Sequence, residues 1–365
     1  MKVAFYSPMP PLQTGVADYS ASLAGALGEL VDLSVNPIQS AGLNVYHIGN
    51  NGLHREIYFH CLREPGVVVI HDAVLHHFLM GTLDEAAYVA EFVYNYGEWN
   101  RFLASELWAN RKRSGADARY FEYPLLRRVA EGARVVVVHN RAAKAIVERH
   151  APGTRVVEIP HLYQPPAAID LVAVERLRAS WGATSSACVF AVFGHLREAK
   201  RISVVVRAFE AVRRQNAKVF LLLAGPAGSL DMVRQLEHWA TLDGVIRVGH
   251  TPLAEFERLC AAADVCLNLR YPSAGEASGM TVRLMGMGKP VVMSDGLDGA
   301  GYPAGTVVKI APNAAEQALL EEYMTWLAGS VRVREEMGRA AAHHIASEHS
   351  LTRVARMYRD VLLSC

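Results

Sequence analysis

Short runs of valine, isoleucine and leucine alternate with longer stretches of helical periodicity along nearly the whole chain. In the first half the runs are Val3–Ser7, Leu33–Asn36, Val45–Gly49, Val67–His71, Val135–His139 and Val156–Ile159. In the second half they are Val189–Gly194, Val219–Gly225, Ile246–Gly249, Val265–Leu269, Val291–Ser294 and Val307–Ile310. Each is about strand length, and several are apolar at every position instead of every second one. That pattern predicts strands of a parallel sheet whose two faces are covered by helices. Helical patterns fill the intervals, as at Ser203–Arg214, Leu230–Thr241 and Leu253–Ala262. Strand, helix, strand with short links is the mark of doubly wound α/β sheets.

Two stretches depart from this alternation. Residues 73–132 are helical and rich in rings (Tyr88, Phe92, Tyr94, Tyr96, Trp99, Phe102, Trp108), which predicts a helical insertion in the first domain. At helical spacing such rings more often build a core than a contact surface. Ala314–Cys365 is almost wholly helical, with the mixed-sign faces of exposed helices. Between the halves, Pro160, Pro165 and Pro166 mark a linker. The expected organisation is a first domain over residues 1–165, a second over 166–350, and a final helix, 351–365, packing back on the first.

Composition narrows the class. The chain has 365 residues, 51% of them hydrophobic, and a formal net charge of +1 from 37 basic and 36 acidic side chains. That length exceeds the ~150 residues of a typical single core, and the apolar content excludes a disordered chain. The neutral balance argues against a protein that works by neutralising nucleic-acid phosphates. The cysteines, Cys61, Cys188, Cys260, Cys266 and Cys365, form no metal or redox spacing and suit unpaired thiols in a reducing cytoplasm. Cys188, Cys260 and Cys266 lie in apolar runs and read as small core residues. No apolar stretch reaches the ~18 residues of a membrane span, and the opening Met1–Pro8 reads as a first strand. The basic cluster Arg111-Lys112-Arg113 reads as a solvated helix end more readily than as a membrane contact.

In open parallel sheets, ligands bind beyond the carboxyl ends of the strands. Four loops qualify. After the first strand, Pro10-Pro11-Leu12-Gln13-Thr14-Gly15-Val16-Ala17-Asp18-Tyr19 opens a helix at Gly15, where free N–H groups can meet an anion. It lacks the Gly-x-Gly-x-x-Gly fingerprint, which disfavours a nicotinamide or flavin cofactor. The run Val67–Ile70 ends in His71-Asp72, with His76-His77 a turn later, and Val135–Val138 ends in His139. A histidine there can bind a substrate hydroxyl; a metal site needs three or four spaced ligands, and only scattered pairs exist. Gly194-His195-Leu196-Arg197-Glu198-Ala199-Lys200-Arg201 supplies cations able to clamp a diphosphate. In Tyr271–Arg283, Glu276 precedes a helix with Ser278 as its expected N-cap, so a carboxylate for sugar hydroxyls and N–H groups for phosphate lie together. The structural alternatives are a turn glycine, core histidines, a solvated loop and a dipole-favoured glutamate.

These pieces, in this order, resemble a known family. Ser7-Pro8, Pro10-Pro11 and Gly15-Val16-Ala17-Asp18-Tyr19, then Val69-Ile70-His71-Asp72, the Gly194…Lys200 loop, Ala262-Ala263-Asp264-Val265, Gly275-Glu276 and Gly288-Lys289-Pro290-Val291-Val292 are similar to retaining glycosyltransferases of family 4, which have the GT-B fold. The resemblance implies two Rossmann-like domains with the active site in the cleft between them. It implies a nucleoside-diphosphate sugar donor, a hydroxyl acceptor and no catalytic metal or other cofactor. For the donor it implies roles for Gly15, Gly194, His195, Arg197, Lys200, Val248, Gly249, Glu276, Ser278, Gly279, Met280 and Arg283. Asp18, Tyr19, His71, Asp72 and His139 would face the acceptor, with His71, Lys200 and Glu276 central to catalysis. The family pattern departs at one point. Its second glutamate falls here at Arg283 or Leu284, depending on the end counted from, and His195 occupies the nearest match to the arginine that commonly precedes the clamp lysine. The competing readings are an epimerase or phosphorylase of the same fold, and a non-catalytic nucleotide-sugar-binding protein.

Overall fold

A computed structural model describes every residue except Gln13, Ala41, Ala116 and Ala167. Gln13 belongs to the expected anion loop and Ala167 to the expected linker, so those two positions lie outside the described residues. Contact clustering divides the chain into two units. The first comprises Met1–Leu162, Pro272–Gly279 and Glu348–Cys365; the second comprises Tyr163–Tyr271 and Met280–Ser347. The sequence placed the break at residue 165 and did not foresee that the short segment Pro272–Gly279 is grouped with the first unit.

The first unit contains strands β1 (Lys2–Tyr6), β2 (Asp32–Val35), β3 (Leu43–Ile48), β4 (Val67–Ile70), β5 (Val135–Val138) and β6 (Val156–Glu158). They form one parallel sheet in the order β2-β1-β3-β4-β5-β6. Every residue of β4 and β5 is buried, which is why their sequences are continuous valine and isoleucine. One face packs against the helices Gly15–Gly28 and Leu351–Leu363. The latter buries Val354, Ala355, Tyr358, Val361 and Leu362, and the valine and leucine side chains each contribute about 1.5–3 kcal/mol by leaving water. The other face carries the insertion, as the helices His76–Thr82, Glu85–Tyr96, Arg101–Asn110, Arg119–Glu122 and Arg127–Glu131. Its rings divide. Tyr88 and Phe92 are fully buried and Tyr96 and Trp108 pack against the core, whereas Tyr94, Trp99 and Phe102 are exposed.

The second unit repeats the scheme with β7 (Cys188–Phe193), β8 (Val219–Ala224), β9 (Val245–Val248), β10 (Val265–Asn268), β11 (Val291–Ser294) and β12 (Val307–Ile310). Their order is β12-β11-β10-β7-β8-β9, again all parallel. The fold class is therefore α/β, with two Rossmann-like doubly wound sheets as in GT-B proteins. Cys61, Cys188, Cys260 and Cys266 are buried thiols and Cys365 is exposed. Among the described residues, no helix is long and apolar enough to cross a membrane.

Strand order also locates the chemistry. A doubly wound sheet reverses direction at one point, and ligands bind at the carboxyl ends of the strands there. In the first unit the reversal lies between β1 and β3. In the second it lies between β7 and β10, so the loops that carry Lys200 and Glu276 both leave from it.

Candidate functional site

In the second unit, three strand ends are laced together by backbone. Gly194 donates to the Ala224 carbonyl at 3.0 Å, Gly225 to Val248 at 3.0 Å, and Leu196 to Pro226 at 2.8 Å. Gly225 has φ +134, and a Cβ there would sit 2.1 Å from the Gly194 carbonyl oxygen, so only glycine permits this approach. Arg247 reinforces the edge by donating to the carbonyls of Leu223 (3.0 Å) and Gly225 (2.6 Å). Val248 is half-buried, while Gly249 and His250 beyond it are exposed.

Lys200 lies on the 3-10 turn Glu198–Lys200, and its buried ammonium donates to the Phe193 carbonyl. Gly194, at φ +87, leaves room beside it: a Cβ there would stand 3.5 Å from Lys200 Nζ and 3.7 Å from Met280 Cγ. A primary ammonium beside a strand end and a bare glycine backbone is a fit for phosphate oxygens. His195 and Arg197 are exposed on the same loop. Burial, then Arg197 and Lys200, hold His195 below the usual histidine range, so it is neutral at pH 7. The backbone N–H of Tyr271 donates to Ala199 at 2.8 Å and joins the β7 and β10 loops.

Arg283 is placed differently from a phosphate contact. It donates to Glu257 Oε1 at 3.2 Å and its guanidinium lies 6.0 Å from the Phe256 ring centre. Its charge is thus matched on the neighbouring helix Leu253–Ala262. The helix Gly279–Gly286 begins one residue after Ser278. Behind it, Thr281 Oγ1 accepts from Asn268 Nδ2 at 2.8 Å.

In the first unit, the helix Gly15–Gly28 is capped by Thr14, whose hydroxyl accepts from Ala17 N–H at 3.1 Å. Gly15 is exposed, and a Cβ there would meet nothing within 4 Å. The first N–H groups of a helix lack intrahelical acceptors, so this start can receive an anion. Asp18 is exposed on the first turn. Tyr19, expected at the acceptor, instead points into the core: it is 3% exposed and its hydroxyl pairs with that of Tyr358 at 3.0 Å.

Around the Tyr19 ring stand His47, His71, His139 and His161, with centroids 6.0, 5.0, 5.2 and 4.9 Å away. His71 is partly exposed, and its Nε2 lies 2.9 Å from His47 Nδ1. Burial first, then His139, His47, His54 and His161, holds it well below the usual histidine range. His139 is 6% exposed, bonds the Ile159 carbonyl through Nδ1 at 2.9 Å, and is lowered to about 4 by burial. His139 is thus a buried companion of His71 and not a surface group. His76 is structural, with Nδ1 on the Tyr123 carbonyl and Nε2 on the Tyr88 hydroxyl. Asp72 Oδ2 accepts from the backbone of Asn50 at 2.8 Å, and Asn50 Oδ1 accepts from Phe78 N–H at 2.8 Å. Among the described residues, no group of three or more histidine, cysteine or acidic side chains has metal-binding geometry.

Glu276 is grouped with this unit. Its Oε2 accepts from Ala274 N–H at 2.8 Å, Gly275 N–H donates to Ser273 Oγ, and Asn140 Nδ2 donates to the Gly275 carbonyl at 3.0 Å. Gly275 has φ +69. A Cβ there would press on Ile146 Cδ1 at 2.9 Å and Ala73 Cβ at 3.1 Å. The carboxylate is therefore held at the tip of a tight loop that Asn140 clips in place. Gly279 lies against His161, whose ring a Cβ would approach to 3.2 Å.

Three residues at or near these strand ends, His47, Asn50 and His161, and Tyr358 on the helix Leu351–Leu363, were not singled out from the sequence. The rule that flagged His71 applies equally to β3, whose run ends in Gly49-Asn50-Asn51-Gly52 at the point where the sheet reverses. That was the available signal for Asn50.

Comparison with known proteins bears on the fold and on the second half of the chain. Residues 187–327 match the family model described as glycosyl transferases group 1. No curated protein matches the sequence. The Anabaena protein HepE, solved in complex with UDP and glucose, has 14% identity and a TM-score of 0.69, with all of both chains covered. Sucrose-phosphate synthase from Thermosynechococcus elongatus has 14% identity and a TM-score of 0.67, also over all of both chains. WaaG, a glycosyltransferase involved in lipopolysaccharide biosynthesis, has 16% identity and a TM-score of 0.61 over 99% of each chain. The whole chain thus shares a fold with these proteins, and its second unit carries the stretch that is similar to group 1 glycosyltransferases.

Proposed function

We propose that this chain is a retaining glycosyltransferase of family 4 that moves a sugar from a nucleoside-diphosphate sugar to an acceptor hydroxyl. The observation that supports this most directly is the Gly194–Lys200 strand end: a buried ammonium beside an open glycine backbone, inside the residues similar to group 1 glycosyltransferases. Departure of a nucleoside diphosphate develops charge on its phosphate oxygens. Preorganised cations and N–H groups aimed at that charge supply most of the rate enhancement in such reactions. Lys200 and Arg197 neutralise the leaving diphosphate, with N–H groups at Gly15 and at Ser278, Gly279 and Met280 as further donors. His71 and Glu276 bind sugar hydroxyls. Val248 and Gly249 lie near the nucleobase. Asp18 and Asp72 are offered to the acceptor.

In this reading no protein nucleophile is needed. The acceptor attacks the face from which the diphosphate leaves, and a donor phosphate oxygen takes the acceptor proton. The step forms one C–O bond, breaks one, and releases a nucleoside diphosphate. Charge neutralisation is assigned to side chains, so turnover is expected to be insensitive to a chelator.

The test is a thermal-shift panel of UDP-, GDP-, dTDP- and ADP-sugars, since a ligand bound only by the native state raises its stability. UDP-sugars come first, because HepE was solved with UDP. The selected donor is then assayed with hydroxyl acceptors for acceptor-dependent release of nucleoside diphosphate, and the product's anomeric configuration is read by NMR. Stabilisation by one donor class and retention of configuration are expected. Indifference to every donor, or an inverted product, overturns the proposal.

A further inference from the structure

The histidines around Tyr19, together with His54 on the backbone of His47, differ in one respect. His54 and His139 each set Nδ1 against a backbone carbonyl, of His47 and Ile159 respectively, both at 2.9 Å. A carbonyl only accepts, so both rings carry their proton on Nδ1. Their Nε2 atoms are buried lone pairs without a hydrogen-bond partner. His47 Nδ1, in contrast, meets another ring nitrogen, Nε2 of His71, at 2.9 Å. One of the two must donate.

The far side of His47 decides which. Its Nε2 is also buried and has no hydrogen-bond partner. If His71 donated, His47 would carry its proton on that nitrogen and leave a bare N–H in the core. If His47 donates, the same nitrogen is a bare lone pair, the state its two neighbours already hold. Orphaned buried N–H groups are rarer in folded proteins than under-satisfied acceptors.

We infer that His47 is a positioning residue: it donates from Nδ1 to His71 Nε2 and so fixes His71 in the tautomer that offers an Nδ1–H donor to the transferred sugar. The sugar contact rests on the function proposed above; the tautomer does not. The register of the sheet builds the pair. His47 stands opposite Val69, and His71 follows two residues on, on the same face. The consequence is a restriction of role. With Nε2 engaged and Nδ1 protonated, neutral His71 has no lone pair with which to take a proton from the acceptor. It can bind a sugar oxygen but cannot serve as the general base.

Two measurements test this. Long-range proton–nitrogen correlation spectra of the full chain with labelled histidine, near pH 7.5 and without ligand, read the tautomer, with His71→Gln for assignment. An Nδ1–H form of His71 is expected; an Nε2–H form overturns the inference. Kinetics with the donor selected above give the second. Asparagine places an amide nitrogen where histidine has Nδ1, so His47→Asn keeps the donor and His47→Leu removes it. A fall in kcat of about 10- to 100-fold is expected for His47→Leu, with His47→Asn near wild type and His71 shifted to a tautomer mixture in the leucine variant alone. Equal losses in both variants overturn it. If no donor is turned over, the proposed function fails while the spectra still decide the tautomer.

Discussion

The two units are both six-stranded parallel sheets, wound in different strand orders, and they hold their candidate residues in opposite ways. At the strand ends of the second unit, charged side chains are tied to backbone carbonyls: Lys200 to Phe193, and Arg247 to Leu223 and Gly225. At the strand ends of the first, the groups are neutral rings, with His47, His139 and Tyr19 buried around His71. Carbonyl dipoles can keep a cation charged while it waits for an anion. A layer of mutually close imidazoles cannot all charge, so these rings stay neutral; with the carboxyl groups of Asp72 and Glu276 in the same unit they can hydrogen-bond hydroxyls. In the proposed reading, one set of strand ends meets phosphate and the other meets sugar hydroxyls.

The largest test of this contrast is Lys200→Ala. Removing a preorganised cation from a developing charge typically costs 10²–10³ in rate, about 3–4 kcal/mol. We expect kcat with the selected donor to fall by about that factor while circular dichroism and unfolding cooperativity persist. Turnover within a few-fold of wild type in the folded variant breaks the assignment of the second unit to the diphosphate.

Acid is the next lever, and it should act on the first unit. Burial lowers His54, His76 and His139 to about 4, from an ordinary value of 6.5. A histidine whose folded value lies below its unfolded value binds more protons when unfolded, so stability rises with pH. The contribution is present above pH 6.5 and is lost as pH falls from 6.5 towards 4. Each group is of the order of 3 kcal/mol. Amide hydrogen exchange at pH 7.5 and 4.5 should show protection in β3, β4 and β5 collapsing before that in β7 and β8. Simultaneous loss in both sheets removes the contrast.

A matched pair of glycine changes sharpens it. Gly275→Ala meets both an unfavourable φ and contacts of 2.9 and 3.1 Å with Ile146 and Ala73, so a loss of about 2–4 kcal/mol is expected. Gly194→Ala meets φ +87 but contacts no closer than 3.5 Å, so about 1–2 kcal/mol is expected. Activity should rank the other way, because the Gly194 methyl stands beside Lys200. Urea unfolding and donor kinetics on both variants check the two orders.

How much of this was legible in the sequence follows from where each signal resides. All twelve runs read as strands are strands among the described residues; for the central ones, such as Val67–Ile70, burial on both faces forces the continuity, while the partly exposed β2, β6 and β9 were legible from their short β-branched runs. His71 was legible because it closes a strand at its carboxyl end, and Lys200 because it lies in the loop that leaves one. His47 was not. It is one polar residue inside the run Asn44-Val45-Tyr46-His47-Ile48, and its meaning depends on pairing with β4, twenty residues away in sequence. Tyr358 was further out of reach, since its hydroxyl contact with Tyr19 spans 339 positions. Arg283 showed the reverse problem: its place in a motif suggested a donor contact, and only packing revealed Glu257 beside it. Local periodicity is written in the chain, while side-chain partnership is written in the register.

The smallest expected effect concerns how the second unit supports its cation. Arg201 follows Lys200 directly and has φ +56, a left-handed conformation that costs a non-glycine residue roughly 1 kcal/mol. What holds it is Glu316, which is 1% exposed and accepts from Arg201 Nε at 2.9 Å. Arg201→Gly relieves the backbone but strands a buried carboxylate whose other oxygen, Oε1, already has no hydrogen-bond partner. The single change should therefore be destabilising by about 1–3 kcal/mol despite the easier φ. Glu316→Gln alone weakens the pair and leaves the arginine partly solvated. In the double variant both the strain and the buried charge are gone, and stability should return to within about 1 kcal/mol of wild type. A double-mutant cycle by urea unfolding measures the coupling. If the two single losses simply add, the ion pair does not support the left-handed turn, and Lys200 is held by its carbonyl bond and loop backbone alone.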